Sequence, residues 1–324
     1  MKKEYIILGL IIIALSAYIL TNKTDRDNYT LPSIPEINGS DITEITVQKG
    51  DKNIVISKNG GSWSVANAAS DKSYKANQES ITKMVDLIKS LKLSALVSES
   101  GNLSPYELDE KNRITVEAKS QSETVRKFEI GKSAPSFRHT FVRLDTNKSV
   151  YHAEKSFRQD FDKSLQDLRD KKVISFDKGK ISAITIKHGN KIKEFAIKDG
   201  KPVSSGEAKE AEETNKEVEA IETILTTLSD LNCHSFTDSD NKDEFRQKEI
   251  LEIAKITLKE EPEKELSFVI YTKDENDNYP AISSESIYPF FITTHDGNQI
   301  VEKIDSALGI KKEEPTSEDK QESQ

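Results

Sequence analysis

The chain has 324 residues, 32% of them charged, and carries a net charge of −9 at pH 7. This acidic balance argues against a nucleic-acid binder, because such proteins need a basic face to contact phosphates. Cys233 is the single cysteine, which excludes an internal disulfide and a cysteine-based zinc site. The length is sufficient for more than one domain with its own core.

The N-terminal residues 1–22 are predicted to form a membrane anchor. Residues 5–20 contain no charge and would give ~24 Å of helix, which is short against a hydrocarbon core of about 30 Å. Polar residues beyond this run, including Lys23, can make up the difference by snorkelling. The alternative is a cleaved signal peptide with residues 14–16 as the cleavage site. The anchor is favoured because the apolar residues continue to Leu20.

The charges around the apolar run predict its orientation. Lys2 and Lys3 precede the run and favour an N-terminus in the cytoplasm. The protein is therefore expected in the cell inner membrane as a single-pass protein, with the bulk of the chain in the periplasm or outside. Residues 23–40 are predicted to be a polar linker, which Pro32 and Pro35 keep extended and fairly stiff.

A short strand pattern occurs twice in the chain. Residues 42–47 alternate apolar with polar or β-branched side chains and are followed by a glycine-centred turn at 49–51. A similar run at 181–186 is followed by a turn at 188–190. Such runs are typical of half-buried strands, and turns of this composition are typical of hairpins. Each half of the chain is therefore predicted to begin with a small antiparallel meander.

A helical pattern also occurs twice, at a constant offset of 140 residues. Apolar residues lie at spacings of i, i+3, i+4 and i+7 in both copies, which are Ile81, Met84, Val85 and Ile88, and then Ile221, Ile224, Leu225 and Leu228. This period predicts amphipathic helices over residues 81–93 and 218–231.

The two patterns together predict an α+β protein. We interpret the chain as a tandem duplication of an antiparallel meander-plus-helix unit, preceded by one N-terminal transmembrane helix. The first repeat is predicted at residues 41–178 and the second at 179–310. Residues 201–216 are predicted to be a mobile loop, and residues 311–324 a disordered tail with almost no apolar residue.

Several elements in the first repeat resemble a known family. A Tyr-Glu-Leu-Asp element at residues 106–109 precedes a basic residue and an Ile-Thr-Val strand at 113–116. A strand at 128–132 then ends in Ile-Gly-Lys, and two further strands follow at 141–144 and 150–151. This arrangement is similar to that of the domain-of-unknown-function 4340 family, over most of residues 41–310.

The resemblance has implications for fold and context rather than for chemistry. Glu107 stands where the family usually has Gly. The family has no established catalytic residues, so none is assigned to this chain. Many members resemble membrane-anchored partners of gliding-type ABC transport systems in bacterial envelopes. The resemblance therefore implies a transport complex as a candidate partner.

Few residue patterns in the chain predict a reaction. The Gly-Lys-Ser sequence at 131–133 lacks the earlier glycine of a phosphate-binding loop, where Arg126 stands instead. The five histidines form no pair at the short spacings that zinc sites use. No Gly-x-Ser-x-Gly nucleophile motif occurs. No catalytic, cofactor-binding or metal-binding residue is therefore predicted.

The most distinctive polar cluster is Arg138, His139 and Arg143. These residues alternate with aromatic residues at strand spacing, an arrangement that could line a groove for an anionic group of a partner or ligand. The alternative is a hairpin with an ordinary solvent-exposed face.

The predicted function is that of a membrane-anchored, envelope-facing accessory or interaction protein, not an enzyme, and a partner of an ABC-type transport complex. A binding module for an envelope polymer or small solute is the alternative, and a hydrolase is third. No cofactor and no nucleic-acid partner are expected, and the oligomeric state is left open.

Overall fold

We describe the protein from a computed structural model that covers residues 2–21, 29–144, 148–203, 211–237, 241–243, 252–260 and 264–310. The described residues form a mixture of helices and mostly antiparallel strands, which confirms the α+β prediction. The chain divides into two compact units, residues 1–168 and 169–324. This division lies earlier in the chain than the predicted boundary between residues 178 and 179.

The helices are α1 Lys2–Thr21, α2 Gln78–Lys89, α3 Arg158–Phe161, α4 Leu165–Leu168, α5 Ala211–Leu228 and α6 Thr294–Ala307. The strands of the first unit are β1 Glu44–Lys49, β2 Lys52–Asn59, β3 Ser62–Asn67, β4 Ser73–Lys75, β5 Leu93–Ser98, β6 Ile114–Ser120, β7 Glu123–Ser133, β8 His139–Leu144 and β9 Val150–Glu154. Those of the second unit are β10 Lys172–Ser175, β11 Ile181–His188, β12 Lys191–Lys198, β13 Lys201–Pro202, β14 Asp230–Asn232, β15 Ser235–Phe236, β16 Glu252–Glu260, β17 Lys264–Tyr271, β18 Tyr279–Ser283 and β19 Phe290–Ile292.

In the first unit, nine strands of the described chain form one sheet in the order β4-β3-β2-β1-β6-β7-β8-β9-β5. The predicted meander is β1, β2 and β3, joined at glycines with positive φ such as Gly50 and Gly60. Side chains on β1 alternate, so that Ile45 and Val47 are buried in the core. The sheet thus grows outward from β1, with the first meander on one side and β6 to β9 on the other.

The second unit repeats this strand order, except that its described strands include no counterpart of β4. Among its described strands the large sheet follows β13-β12-β11-β16-β17-β18-β19-β15. Each strand takes the place of a first-unit strand, with β11 at the position of β1 and β16 at that of β6. The far edge of each sheet is formed by a strand that follows the helix in sequence, β5 after α2 in the first unit and β15, beyond β14, in the second. A small pair, β10 with β14, is present as well.

Both predicted helix faces are confirmed. Ile81, Met84 and Ile88 of α2 are buried in the core of the first unit, and all four apolar residues predicted for the second helix are buried in the core of the second unit. Asn77 is the N-cap of α2, because its side chain accepts a hydrogen bond from the backbone N–H of Ser80 at 2.9 Å.

Three predicted boundaries are wrong. The helices α2 and α5 begin and end earlier than predicted, because the residues after them pair as β5 and β14. The predicted loop at 201–216 is partly regular, since β13 occupies its start and α5 begins at Ala211. Residues 204–210 and the predicted tail at 311–324 lie outside the described residues.

The described part of the predicted linker is not a free stalk. Leu31, Ile34 and Ile37 are half-buried and pack against the core of the first unit. Burial of these apolar side chains stabilises the packed position of the segment. Residues 23–28 of this predicted linker lie outside the described chain.

A buried arginine fastens the same segment. The Arg126 side chain is 7% exposed, and its guanidinium donates hydrogen bonds to the carbonyls of Pro35, Ile88 and Lys89. The last two carbonyls belong to the C-terminal end of α2, where a positive charge is favourable. Burial lowers the pKa of Arg126 from its usual value. One side chain therefore joins the segment before β1, the end of α2 and strand β7.

The predicted membrane-spanning helix is not supported by the described residues, none of whose helices combines the length and apolarity needed to cross a membrane.

Candidate functional site

The predicted contact residues lie on the β7–β8 hairpin, in its turn and on strand β8. The backbone N–H of Ala134 donates to the carbonyl of His139 at 2.9 Å, and that of Phe137 donates to the carbonyl of Ala134 at 2.8 Å. Arg138 is exposed at the tip, while His139 and Arg143 belong to β8. We call residues 136–138 the hairpin tip.

Phe137 has an unusual conformation at this tip. Its φ is 54°, in the left-handed region, and its side chain is 78% exposed. Turns of this kind usually place glycine or asparagine at such a position, because a bulky side chain there costs about 1 kcal/mol. The aromatic side chain gains no burial within the described chain that would offset this strain. No sequence pattern predicts this conformation, since phenylalanine does not favour positive φ.

His139 is brought next to a second histidine. The rings of His139 and His152 are stacked with centroids 5.3 Å apart, and Phe141 lies 4.8 Å from His152. Burial, and then the charge of His139, lower the pKa of His152. The protonated form of His152 is therefore disfavoured. His152 was missed as a site residue because the two histidines meet across strands β8 and β9, which local spacing does not show.

Arg143 is held by other residues of the sheet. Its Nε lies 2.5 Å from Oε2 of Glu129 on the neighbouring strand, and Arg113 Nε lies 3.3 Å from the other carboxylate oxygen. The two arginines flank one carboxylate at the surface of three adjacent strands. Reversing the charge of Arg143 would place two carboxylates together, so Arg143 is a structural residue of the sheet face. Arg138, at the tip, is not part of this cluster.

The family-like motifs of the sequence meet in space. Gly131 on β7 lies under the loop at 103–109, and a Cβ added to it would be 2.2 Å from the carbonyl oxygen of Tyr106 and 2.9 Å from Leu108. Only glycine permits this approach. Glu107, which stands in the place of the usual glycine, has a φ of 55°. The departure from the family pattern thus preserves a left-handed turn.

An arginine supports the same loop from below. The Arg158 guanidinium donates to the carbonyl of Asn112 at 2.8 Å and to that of Ile130 at 3.2 Å, and it lies 3.6 Å from Glu107. This arrangement fixes the loop on β7, and Leu108 is fully buried there with Phe141 and Ala134. The base of the hairpin is therefore packed against this loop, whereas its tip is exposed.

The described residues contain no group of three or more histidine, cysteine, aspartate or glutamate side chains placed to hold a metal ion. Cys233 is buried, and burial raises the pKa of its thiol to about 11. The thiol is accordingly protonated at neutral pH and a poor nucleophile.

The strand order and the packed loop on β7 define a class of protein, an antiparallel α+β protein built from two similar sheet-and-helix units. Residues 67–250 match the family described as "Domain of unknown function (DUF4340)". This match covers more than half of the chain, and the protein belongs to that family. No curated protein and no solved structure matches the chain.

Proposed function

We propose that the protein is a non-enzymatic accessory protein of a bacterial envelope membrane, and that it contacts a membrane transport complex through the hairpin tip. The observation that supports the contact is the conformation of Phe137, whose φ is positive and whose side chain is exposed. A strained, exposed aromatic side chain beside an exposed arginine is a feature that stability alone would not maintain. Aromatic and arginine side chains are also the residues that contribute most to protein interfaces. A transport complex as the partner rests on the family resemblance.

The hairpin tip can be tested by two substitutions that leave the sheet intact. Phe137→Asn combined with Arg138→Glu is expected to abolish co-purification of the partner complex from detergent-solubilised membranes. Because asparagine tolerates positive φ, Phe137→Asn alone should keep or raise the free energy of unfolding, by up to about 1 kcal/mol. Thermal unfolding measures this second effect.

A matched control lies on a hairpin of the second unit. Lys191→Glu with Ile192→Ser changes an exposed basic residue and an exposed apolar residue at the β11–β12 turn. This variant should co-purify normally. Normal co-purification of the Phe137→Asn/Arg138→Glu variant would show that the hairpin tip is not the contact. A large loss of stability in Phe137→Asn would show that the aromatic ring has a structural role.

Membrane attachment is the second part of the proposal. Its support is α1, on which Tyr5 is 70% exposed and Ile7, Leu8 and Ile11 are exposed as well. Contact with lipid would remove these exposed apolar side chains from water. Together with Lys2 and Lys3 ahead of the apolar run, it favours attachment of α1 to the membrane, with the sheets of both units outside the cytoplasm.

Orientation can be measured by cysteine labelling in intact spheroplasts. Ser122 is exposed in the β6–β7 turn, and Ser122→Cys is expected to react with a membrane-impermeant maleimide before lysis. The unmodified protein supplies the background, because its buried Cys233 should remain unlabelled. Reaction only after lysis would reverse the proposed orientation, and recovery of the protein in the soluble fraction would remove the anchor.

We also infer that the two units arose by duplication of one meander-plus-helix unit. The support is their shared strand order and the constant offset of the buried residues in α2 and α5. The helices that follow the last strand of each large sheet have since diverged. In the second unit α6 has 14 residues, whereas in the first unit α3 and α4 have four each.

A further inference from the structure

A cavity of about 420 Å³ lies in the first unit, at the end of the β1–β2 hairpin. Its charged lining consists of four lysines and two aspartates, which are Lys49, Lys52, Lys111, Lys163, Asp162 and Asp167. We call this cavity the basic groove. It does not include the hairpin tip at residues 136–138. Its volume is within the range of small-molecule sites.

The positive charge of the basic groove is only partly neutralised by the protein. Both carboxylate oxygens of Asp162 lie 2.7 Å from Lys49 Nζ, and one of them is 3.7 Å from Arg158 Nε. Asp162 is thus balanced by cations of its own unit. Within the described chain, the ammonium groups of Lys52 and Lys111 have no carboxylate at ion-pair distance.

This local charge is opposite in sign to that of the whole protein. The chain carries a net charge of −9, yet the groove lining has twice as many ammonium groups as carboxylates. Low-dielectric walls concentrate the field of such a cluster and raise the local concentration of anions. The arrangement therefore favours a negatively charged ligand over a cation.

The floor of the basic groove is apolar. Val47, Ile54 and Phe161 line it and belong to the buried core of the first unit. Only a small part of each side chain is exposed, and a ligand that contacted this part would gain from apolar burial in addition to charge. An inorganic ion alone would leave this part of the cavity unused.

The groove opens where the closing helix of the first unit is interrupted. Asp162, Lys163 and Ser164 lie between α3 and α4 and line the cavity. The ion pair between Lys49 and Asp162 has a counterpart in the second unit, where Nδ1 of His188 lies 3.1 Å from Oδ1 of Asp305. Asp305 belongs to the continuous helix α6, whereas Asp162 lies in the gap between α3 and α4.

From this geometry we propose that the basic groove binds a small organic anion with two negative charges next to an apolar portion. Lys52 and Lys111 would contact the anionic group, and the floor would contact the apolar portion. This site goes beyond the proposed partner contact and does not depend on it.

Phenyl phosphate is a suitable probe, since it combines a dianion with an aromatic ring. Isothermal titration of the full chain in non-ionic detergent at pH 8 and low salt is expected to show saturable binding. Inorganic phosphate and benzyl alcohol, which each lack one of the two parts, are expected to bind at least tenfold more weakly. Affinity should also fall as salt is added.

Two paired variants make the site specific. Lys52→Gln with Lys111→Gln is expected to weaken phenyl phosphate binding tenfold or more. Lys191→Gln with Lys198→Gln, on exposed lysines of the second unit, is the control and should leave it unchanged. Equal weakening in both variants, equal affinity for phenyl phosphate and inorganic phosphate, or no saturable binding would each overturn the proposal.

The outcome is separable from that of the hairpin experiment. The Phe137→Asn/Arg138→Glu variant should bind phenyl phosphate with unchanged affinity, because neither residue lines the groove. Conversely, the Lys52→Gln/Lys111→Gln variant should still co-purify with the partner complex.

Discussion

Replacing Leu228 with alanine is expected to lower the free energy of unfolding of the second unit by about 2–5 kcal/mol. Leu228 is fully buried in a core formed by α5, α6 and the inner face of the large sheet. The shortened side chain would leave a cavity that the surrounding strands cannot close. Ile88 holds the equivalent position on α2 and is also fully buried, so Ile88→Ala should have an effect of the same size in the first unit.

Exposed positions on the same two helices supply the controls. Thr82 on α2 and Glu222 on α5 face solvent, and their alanine variants should change the free energy of unfolding by less than about 0.5 kcal/mol. Urea denaturation followed by circular dichroism measures all four. Similar effects at buried and exposed positions would show that the apolar faces of the two helices do not pack in the cores.

Gly131→Ala is expected to destabilise the first unit by about 3 kcal/mol or more, the upper range for an overpacked site. The new methyl group would lie 2.2 Å from the Tyr106 carbonyl oxygen, and that oxygen belongs to the backbone. Relief would require the loop at 103–109 to lift from β7. Since Leu108 belongs to this loop and is fully buried, lifting the loop would also expose apolar surface.

Gly50→Ala separates this collision from a simple loss of glycine. Gly50 has a φ of 54° and no atom within 4 Å of an added Cβ, so alanine there should cost only about 1 kcal/mol from its backbone conformation. Equal effects at Gly50 and Gly131 in thermal unfolding would contradict the close contact. Loss of the Gly131→Ala protein through failure to fold, with Gly50→Ala folding normally, would agree with it.

Much of the architecture could be predicted from the sequence because it depends on local patterns. Alternation over residues 42–47 identifies a strand whatever lies beside it, and the turns around Gly50 and Gly189 require the conformations that glycine allows. The buried faces of α2 and α5 follow from a period of 3.6 residues. These features are determined within a few residues of each other.

The candidate site was predicted less completely. The sequence located the hairpin that contains Arg138, His139 and Arg143, but their roles depend on neighbours distant in the chain. Arg143 meets Glu129 and His139 meets His152 only because β7, β8 and β9 pair in one register. A shift by one residue would move each side chain to the opposite face of the sheet.

The sequence by itself determined the meander that begins each half of this protein, the presence of the two amphipathic helices, and which faces of those helices are apolar. Only the tertiary structure decided that residues 31–37 pack on the first unit, that Arg126 lies at the end of α2, and that four lysines line the basic groove. Local propensity acts over a few residues. The partners of a side chain are set by the strand order and register that bury the most apolar surface.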